Sequence, residues 1–556
     1  MQSLINLYKR SRSNKTSTGS FNPLGLYIDF PSINQMFVKD METGRIDNAL
    51  NETIISCTIL HEHMHWFQHI GTSSGLFFLF LSYVQKEILL NGLLYEIQYL
   101  KSPDFPLIDS MSKKNYDWLG KWESLENLYH FINGGICQKD FVRMLSIKSK
   151  GKLNIENALI YFSKSIGTGF EETFNFYTGS KANNLFESWK KVPFYKTFSG
   201  GKLPFIDNTF FGTLHLFEGA AYLNEFFCLK NYSLKDRRHH LVLTNQSDYL
   251  YLKARKIFYE IIKRNPTDYT EIIFMVIVDA ALNSPIPPAV WYPLSEEYRI
   301  GGERLNPFIR FIILTQTICD FKLDGAINYC DISTIRKLII DIYSFYDSRN
   351  IGGLGEGPHT IFTLLKNIFA NIDIDFKKSP ITLDSNGIAS LKDDGISKPA
   401  FLLKKSIEAI QIREKNPELF ICPSSLFLAD TQKYKELYLS IAPPLFIKDS
   451  ELMPNNNNHK DWYLFFYVTL IHEELARWII YCTLDEIIAK LSQYANSFQN
   501  VEKGISYTYF AVSLILKNKS LLTQIENALK KNKGKVNSKS INIEYFTHYF
   551  SPENMI

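Results

Sequence analysis

Residues 61–69 read HEHMHWFQH, gathering four of the chain's twelve histidines with one glutamate, a tryptophan and a phenylalanine. A helical pattern starts at Asp47 or Asn48, either of which is a good capping residue, and Gly71 is suited to end it. Leu50, Ile54, Cys57, His61 and His65 follow one stripe of that helix, while Ile55, Ile59, Leu60 and Phe67 make most of the remaining surface apolar. A helix apolar nearly all round is buried, and imidazoles and a carboxylate inside it need partners. His61, Glu62 and His65 form H-E-x-x-H, whose i, i+4 spacing puts two imidazoles one turn apart on one face. Two such nitrogens can share a zinc ion, and Glu62 then lies within reach of a metal-bound water as general base. The other reading of the same residues is a His-rich helix whose imidazoles bond to neighbouring side chains or carbonyls. His63 points about 200° away from His61, and His69 lies about 12 Å along the axis from it. Both are expected to pack or hydrogen-bond rather than share the ion, with His69 the one placed to touch substrate.

A catalytic zinc takes a third protein ligand and keeps one position for water. Where a histidine fills that role, a glycine stands three residues after the second histidine; here that position is Gln68. The alternative is a glutamate on a later helix, and LHLFEGAAYLNE (214–225) offers one. At this point the sequence resembles the gluzincin class of zinc metallopeptidases, in which HExxH is followed by a helix of the type EGxAxxxxE. Glu218-Gly219-Ala220-Ala221 matches the EGxA core, and the likeness rests on these two short motifs. It implies a zincin-like catalytic core, a zinc-dependent hydrolase of peptide bonds, and Glu218 as third ligand. Independently, His215, Glu218, Tyr222 and Glu225 fall at i, i+3, i+7 and i+10 and make one polar strip on a helix otherwise rich in Leu, Phe and Ala. On an isolated helix such a strip is a solvent face. More than 150 residues separate His65 from Glu218, a longer gap than in the best-known gluzincins, so a helical insertion is expected between the motifs. Glu87, in SYVQKEILLNG, has the closer spacing and is the alternative metal ligand.

Supporting roles fall to residues nearby in pattern. Asp279 ends the apolar run IIFMVIVDAAL (272–282), where it can orient a ligand histidine, pair with Arg304 or cap the turn into PIPP. A tetrahedral intermediate also needs a hydrogen-bond donor, and Tyr222, His215 and Arg304 are the candidates. GGLGEGPH (352–359) lacks the Lys-Ser or Lys-Thr of a phosphate loop, and IHEELAR (471–477) has alanine where a second histidine belongs, so it reads as ordinary helix surface.

The rest of the chain narrows the class. Among its 556 residues 45% are hydrophobic and 14% aromatic, the composition of a folded globular protein. Sixty-one basic residues are spread among fifty-seven acidic ones, a net charge of +4 that gives no reason to expect nucleic acid. GLFFLFLSYV (75–84) and WYLFFYVTLI (462–471) fall short of the roughly 18 residues a bilayer span needs, so no membrane span is expected. Seven scattered cysteines without a CxxC pair look like buried thiols of a cytoplasmic protein.

Long helical patterns dominate. The expected fold is mainly α with a small β element (25–30 and 33–38) before the HExxH helix, an α+β zincin-like core with large helical insertions. Residues 1–235 form the expected catalytic region, 236–370 a helical region completing the cleft, 371–400 a linker or hairpin insertion, and 401–556 a C-terminal helical domain. The functional expectation is a zinc metallopeptidase with one Zn2+ per chain, acting on a protein or peptide. Its alternatives are a helical interaction protein with a structural or vestigial metal site, and a zinc hydrolase of a non-peptide amide. Oligomeric state is left open by the sequence.

Overall fold

The computed structural model describes residues 20–22, 27–30, 48–79, scattered positions between 81 and 134, 205–206, 209–229, 248–283, 307–349, 381–383, 389–391, 398–441, 445–448, 451–454, 471, 474–496, 501–516 and 518–532. These residues are mostly helical. Extended pieces are two to four residues long, with Tyr27–Phe30 parallel to Leu445–Lys448 and Ile381–Leu383 antiparallel to Ala389–Leu391. No helix among the described residues is long and apolar enough to cross a membrane. The expected strand at 33–38, the proline-rich stretch 285–293 and the glycine-rich 352–359 lie outside the described residues.

Two helices set up the site. α1 (Asn48–Gly71) has the bounds its capping residue and terminal glycine imply. α2 (Thr213–Cys228) packs along it. They run antiparallel: His61 meets Glu225 near the end of α2, whereas the His69 ring lies 5.0 Å from that of Phe217 near its start. From Leu60 to Leu79 every described side chain is buried, which is what an all-round apolar helix requires.

α3 (Asp248–Ile262) covers α2 on another side, where Gly219 stands opposite Ala254 and the Tyr251 carbonyl. α4 (Asp268–Leu282) is the most enclosed element, with every side chain from Thr270 to Leu282 buried. Its start is fixed by Thr267, whose hydroxyl accepts from the Thr270 N–H at 3.2 Å. α5 (Pro307–Thr317) and α6 (Ile332–Ser348) pack on α4, and Asp331 caps α6 by accepting from the Ser333 and Thr334 amides at 3.1 and 3.3 Å.

The far end of α1 is clamped by elements from beyond residue 400. α7 (Lys398–Lys415) lies against α1, followed by the short α8 (Glu418–Ile421), α9 (Pro423–Ala429) and α10 (Thr431–Ile441). Arg413 on α7 donates from Nη1 to the Gly71 carbonyl at 3.1 Å, satisfying one of the orphan acceptors of a helix end. Its other nitrogen, Nη2, binds the Asp279 carboxylate, which also accepts from the Tyr343 hydroxyl. The arginine and the aspartate are both buried, so each charge there depends on the other. Phe420 fills the space a side chain at Gly71 would need: a Cβ added there would come within 2.7 Å of its ring. Trp66 is held from the same side, donating to the Ile441 carbonyl at 2.6 Å.

Two sequence expectations change here. Ile471 and residues 474–476 are buried, so the described part of IHEELAR is packed and not helix surface, because Leu475 and Ala476 belong to the common apolar core. Cys57, Cys228, Cys422 and Cys482 are buried thiols as expected, but Cys319 and Cys330 are exposed.

Candidate metal centre

Three groups converge between α1 and α2. His61 Nε2 and His65 Nε2 lie 3.2 Å apart, and each is 3.3 Å from Glu218 Oε2. His61, His65 and Glu218 form the one group of three or more His, Cys, Asp or Glu among the described residues whose ligand atoms all fall within 4.8 Å, as a bound metal ion needs.

The other ring nitrogens show why these atoms face inward. His61 Nδ1 is 3.1 Å from Glu225 Oε2, an acceptor, so a neutral ring keeps its proton on Nδ1 and offers Nε2 as a ligand atom. His65 Nδ1 is 3.1 Å from Gln68 Oε1. The Gln68 amide is oriented in turn by donating from Nε2 to the Phe217 carbonyl on α2 at 3.1 Å, which turns its oxygen toward His65. In these neutral tautomers two Nε2 lone pairs and a carboxylate oxygen face one another. Such an arrangement calls for a cation.

The carboxylates also favour protons on these imidazoles. Burial acts to lower the His61 pKa, but hydrogen bonds to Glu218 and Glu225 outweigh it and hold the ring well above its ordinary value. His65 is raised against burial by the charge and hydrogen bond of Glu218. Burial would raise Glu218, yet His65 and His61 keep its carboxyl far below the usual carboxylate range. The spacing is compatible with a bound ion. Ligands about 2.0–2.1 Å from a tetrahedral zinc stand about 3.3 Å from one another, matching the 3.2–3.3 Å triangle.

Glu62, next to His61 in the chain, is buried, and its Oε2 has no hydrogen-bond partner in the structure. Burial pushes its carboxyl up to about 7, against the pull of the His61 and His65 charges. A carboxylate left this way is costly unless a further group enters beside it.

The remaining sequence candidates divide. His215 and Tyr222 lie on α2 and are buried, and Tyr222 reaches the site through Tyr251, whose ring centroid is 5.8 Å from both Tyr222 and His61. Asp279 does not orient either ligand histidine; Glu225 and Gln68 fill that role, and Asp279 pairs with Arg413 because α7 brings a buried cation to it. Arg304 and Glu87 lie outside the described residues. His63 and His69 are packing residues as expected. His63 stacks on Tyr438 with ring centroids 4.0 Å apart, and His69 Nδ1 donates to the His65 carbonyl at 2.7 Å.

Four residues near the site had no role in the sequence reading. Glu225 was legible as the polar position seven after Glu218, hence on the same helix face. Gln68 registered only as the residue that replaces glycine. Tyr251 and Lys253 on α3 left no sequence signal, because nothing in a chain pattern says which helix will cover another.

Two outcomes follow. Replacing Glu225 by Ala removes the acceptor that fixes the His61 tautomer and is expected to weaken zinc binding about 10- to 100-fold, by competition titration with a chromophoric chelator. Burial lowers the His69 pKa to about 3. The unfolded chain therefore takes up a proton below about pH 6.5 that the folded chain refuses, so stability falls as pH drops from there toward 3. For His69 this amounts to about 2 kcal/mol between pH 7 and 5. Urea unfolding of His69→Gln should lack that share of the acid destabilisation, and an unchanged pH dependence contradicts the assignment.

No protein-family model, curated protein or solved structure matches the chain.

Proposed function

We propose that this chain is a zinc metallopeptidase, a hydrolase of peptide bonds in a protein or peptide substrate, built on a zincin-like core with a small β element before α1. The observation that carries the reading is the buried triangle of His61 Nε2, His65 Nε2 and Glu218 Oε2, with the unpartnered Glu62 carboxylate beside it. Three protein ligands among the described residues, where a structural zinc site has four, favour a catalytic ion over a structural one. When bound, zinc supplies Lewis acidity, lowering the pKa of a coordinated water toward neutrality and polarising a carbonyl.

The chain's own residues do the rest. Glu225 and Gln68 hold the two imidazoles in the tautomers that present Nε2 inward. Glu62 takes a proton from the attacking water as its oxygen bonds to the scissile carbonyl carbon. It then delivers that proton to the leaving nitrogen as the C–N bond breaks, giving an amine and a carboxylic acid that ionises by losing the second water proton to solvent. A carboxyl held near 7 is suited to both halves of that transfer at neutral pH. Scattered cysteines without a paired motif favour a cytoplasmic setting.

The test is hydrolysis of a quenched-fluorescence peptide mixture by zinc-loaded protein. Cleavage that stops with a chelator and returns with zinc is the expected result; chelator-insensitive cleavage, or none by protein shown to hold zinc, removes the peptidase reading.

A further inference from the structure

His215 stands one turn before Glu218 on the polar face of α2, the face whose Glu218 and Glu225 both meet His61. It is the third residue of the helix, and its Nδ1 accepts the backbone N–H of Gly212 at 3.1 Å, the half of a capping box that a glycine N-cap allows. A backbone N–H can only donate, so Nδ1 carries no proton, the ring is neutral, and its one N–H lies at Nε2. No described residue hydrogen-bonds to that Nε2. The residue as a whole is 1% exposed. Burial and the nearby positive charge of Lys253 lower the ring's pKa to about 4, consistent with a neutral imidazole at physiological pH.

An N–H whose direction is fixed by the bond at the other ring nitrogen, and which meets no acceptor among the described residues, is a donor available to an oxygen. We infer that His215 is a catalytic hydrogen-bond donor, its Nε2–H binding the carbonyl oxygen of the scissile amide and the negative charge that develops there. The inference rests on the peptidase reading and extends it. As water adds to the carbonyl carbon, the π pair moves onto oxygen, where a neutral N–H donor stabilises it without giving up its proton. When the C–N bond breaks, the pair returns to reform the carbonyl. Of the donors the sequence offered, His215 is the one whose proton position the fold dictates.

The test uses two variants of the full-length, zinc-loaded protein. His215→Glu and His215→Gln both keep a side-chain oxygen to accept from Gly212, but only the second keeps an N–H to donate. His215→Glu is expected to lower kcat by about 10²–10³-fold with KM changed less than about threefold and zinc content intact. Affinity for a phosphinic peptide, a stable tetrahedral mimic, should fall by a similar factor, while His215→Gln stays within about tenfold of the wild type. Wild-type kcat in both variants, the outcome of a purely capping role, overturns the inference, as do equal losses in both. Should a variant lose its zinc, nitrogen-15 NMR of the wild-type imidazole decides. A proton on Nε2 at neutral pH that shifts when the phosphinic peptide binds supports the inference, and a proton on Nδ1 overturns it. Cleavage abolished by Glu62→Gln but untouched by His215→Glu removes His215 alone; a wild type that neither cleaves peptides nor binds the phosphinic probe removes the peptidase reading and this inference with it.

Discussion

Replacing Glu62 by Gln is expected to lower peptide hydrolysis by about 10²–10⁴-fold, the span of general acid–base catalysis, and to leave zinc content unchanged. The size follows from the residue's isolation. Glu62 is buried, its Oε2 bonds to nothing, and its carboxyl is pushed up to about 7. Its Oε2 holds neither imidazole by a hydrogen bond, and glutamine has nearly its shape. An acceptor of protons is removed while the three ligand atoms stay 3.2–3.3 Å apart. In kinetics the loss should fall on kcat, because the proton transfer belongs to the chemical step. Unchanged turnover would take the role of general base away from Glu62. Lost turnover with lost zinc would make Glu62 a structural support of the site instead.

The second large effect is expected at Glu218. Its Oε2 touches both ligand nitrogens, and its negative charge is the first influence that raises His65 against burial. Changing it to Ala removes a ligand and the only carboxylate facing both Nε2 lone pairs among the described residues. Zinc affinity should drop by more than about 100-fold, beyond what loss of an orienting partner such as Glu225 costs. Hydrolysis should disappear at stoichiometric zinc and recover in part at high zinc. If affinity is unchanged, the third ligand is elsewhere, and Glu87 is the next residue to replace.

How much of this could be read before the structure differs from residue to residue. The helix carrying HExxH was legible, because Asp47 or Asn48 at its start, a terminal glycine and a nearly unbroken apolar surface all act locally. The partnership of Glu218 with two histidines more than 150 residues away came from motif resemblance, supported by the polar strip on α2, and the distances agree with it. The orienting groups were harder. Asp279 attracted attention as a charge in an apolar run, and its partner, Arg413, is 134 residues away on α7, a pairing that no local pattern signals. Glu225 was in plain view, but its role depends on which ring nitrogen of His61 turns toward it, and that is set by how closely α1 and α2 approach. His215 shows the opposite case. A histidine three residues into a helix is an ordinary position for a capping partner, and only the direction of the Gly212 N–H reveals which nitrogen keeps the proton.

The central claim is that α1 and α2 together hold one zinc ion. It is tested most directly by measuring metal content, by plasma mass spectrometry, of purified wild-type protein exposed to excess zinc and then desalted, beside the His61→Ala, His65→Ala and Glu218→Ala variants. The account predicts about one zinc per chain in the wild type and a large loss in each variant. A wild-type protein that retains no zinc, or variants that retain as much as the wild type, would contradict it.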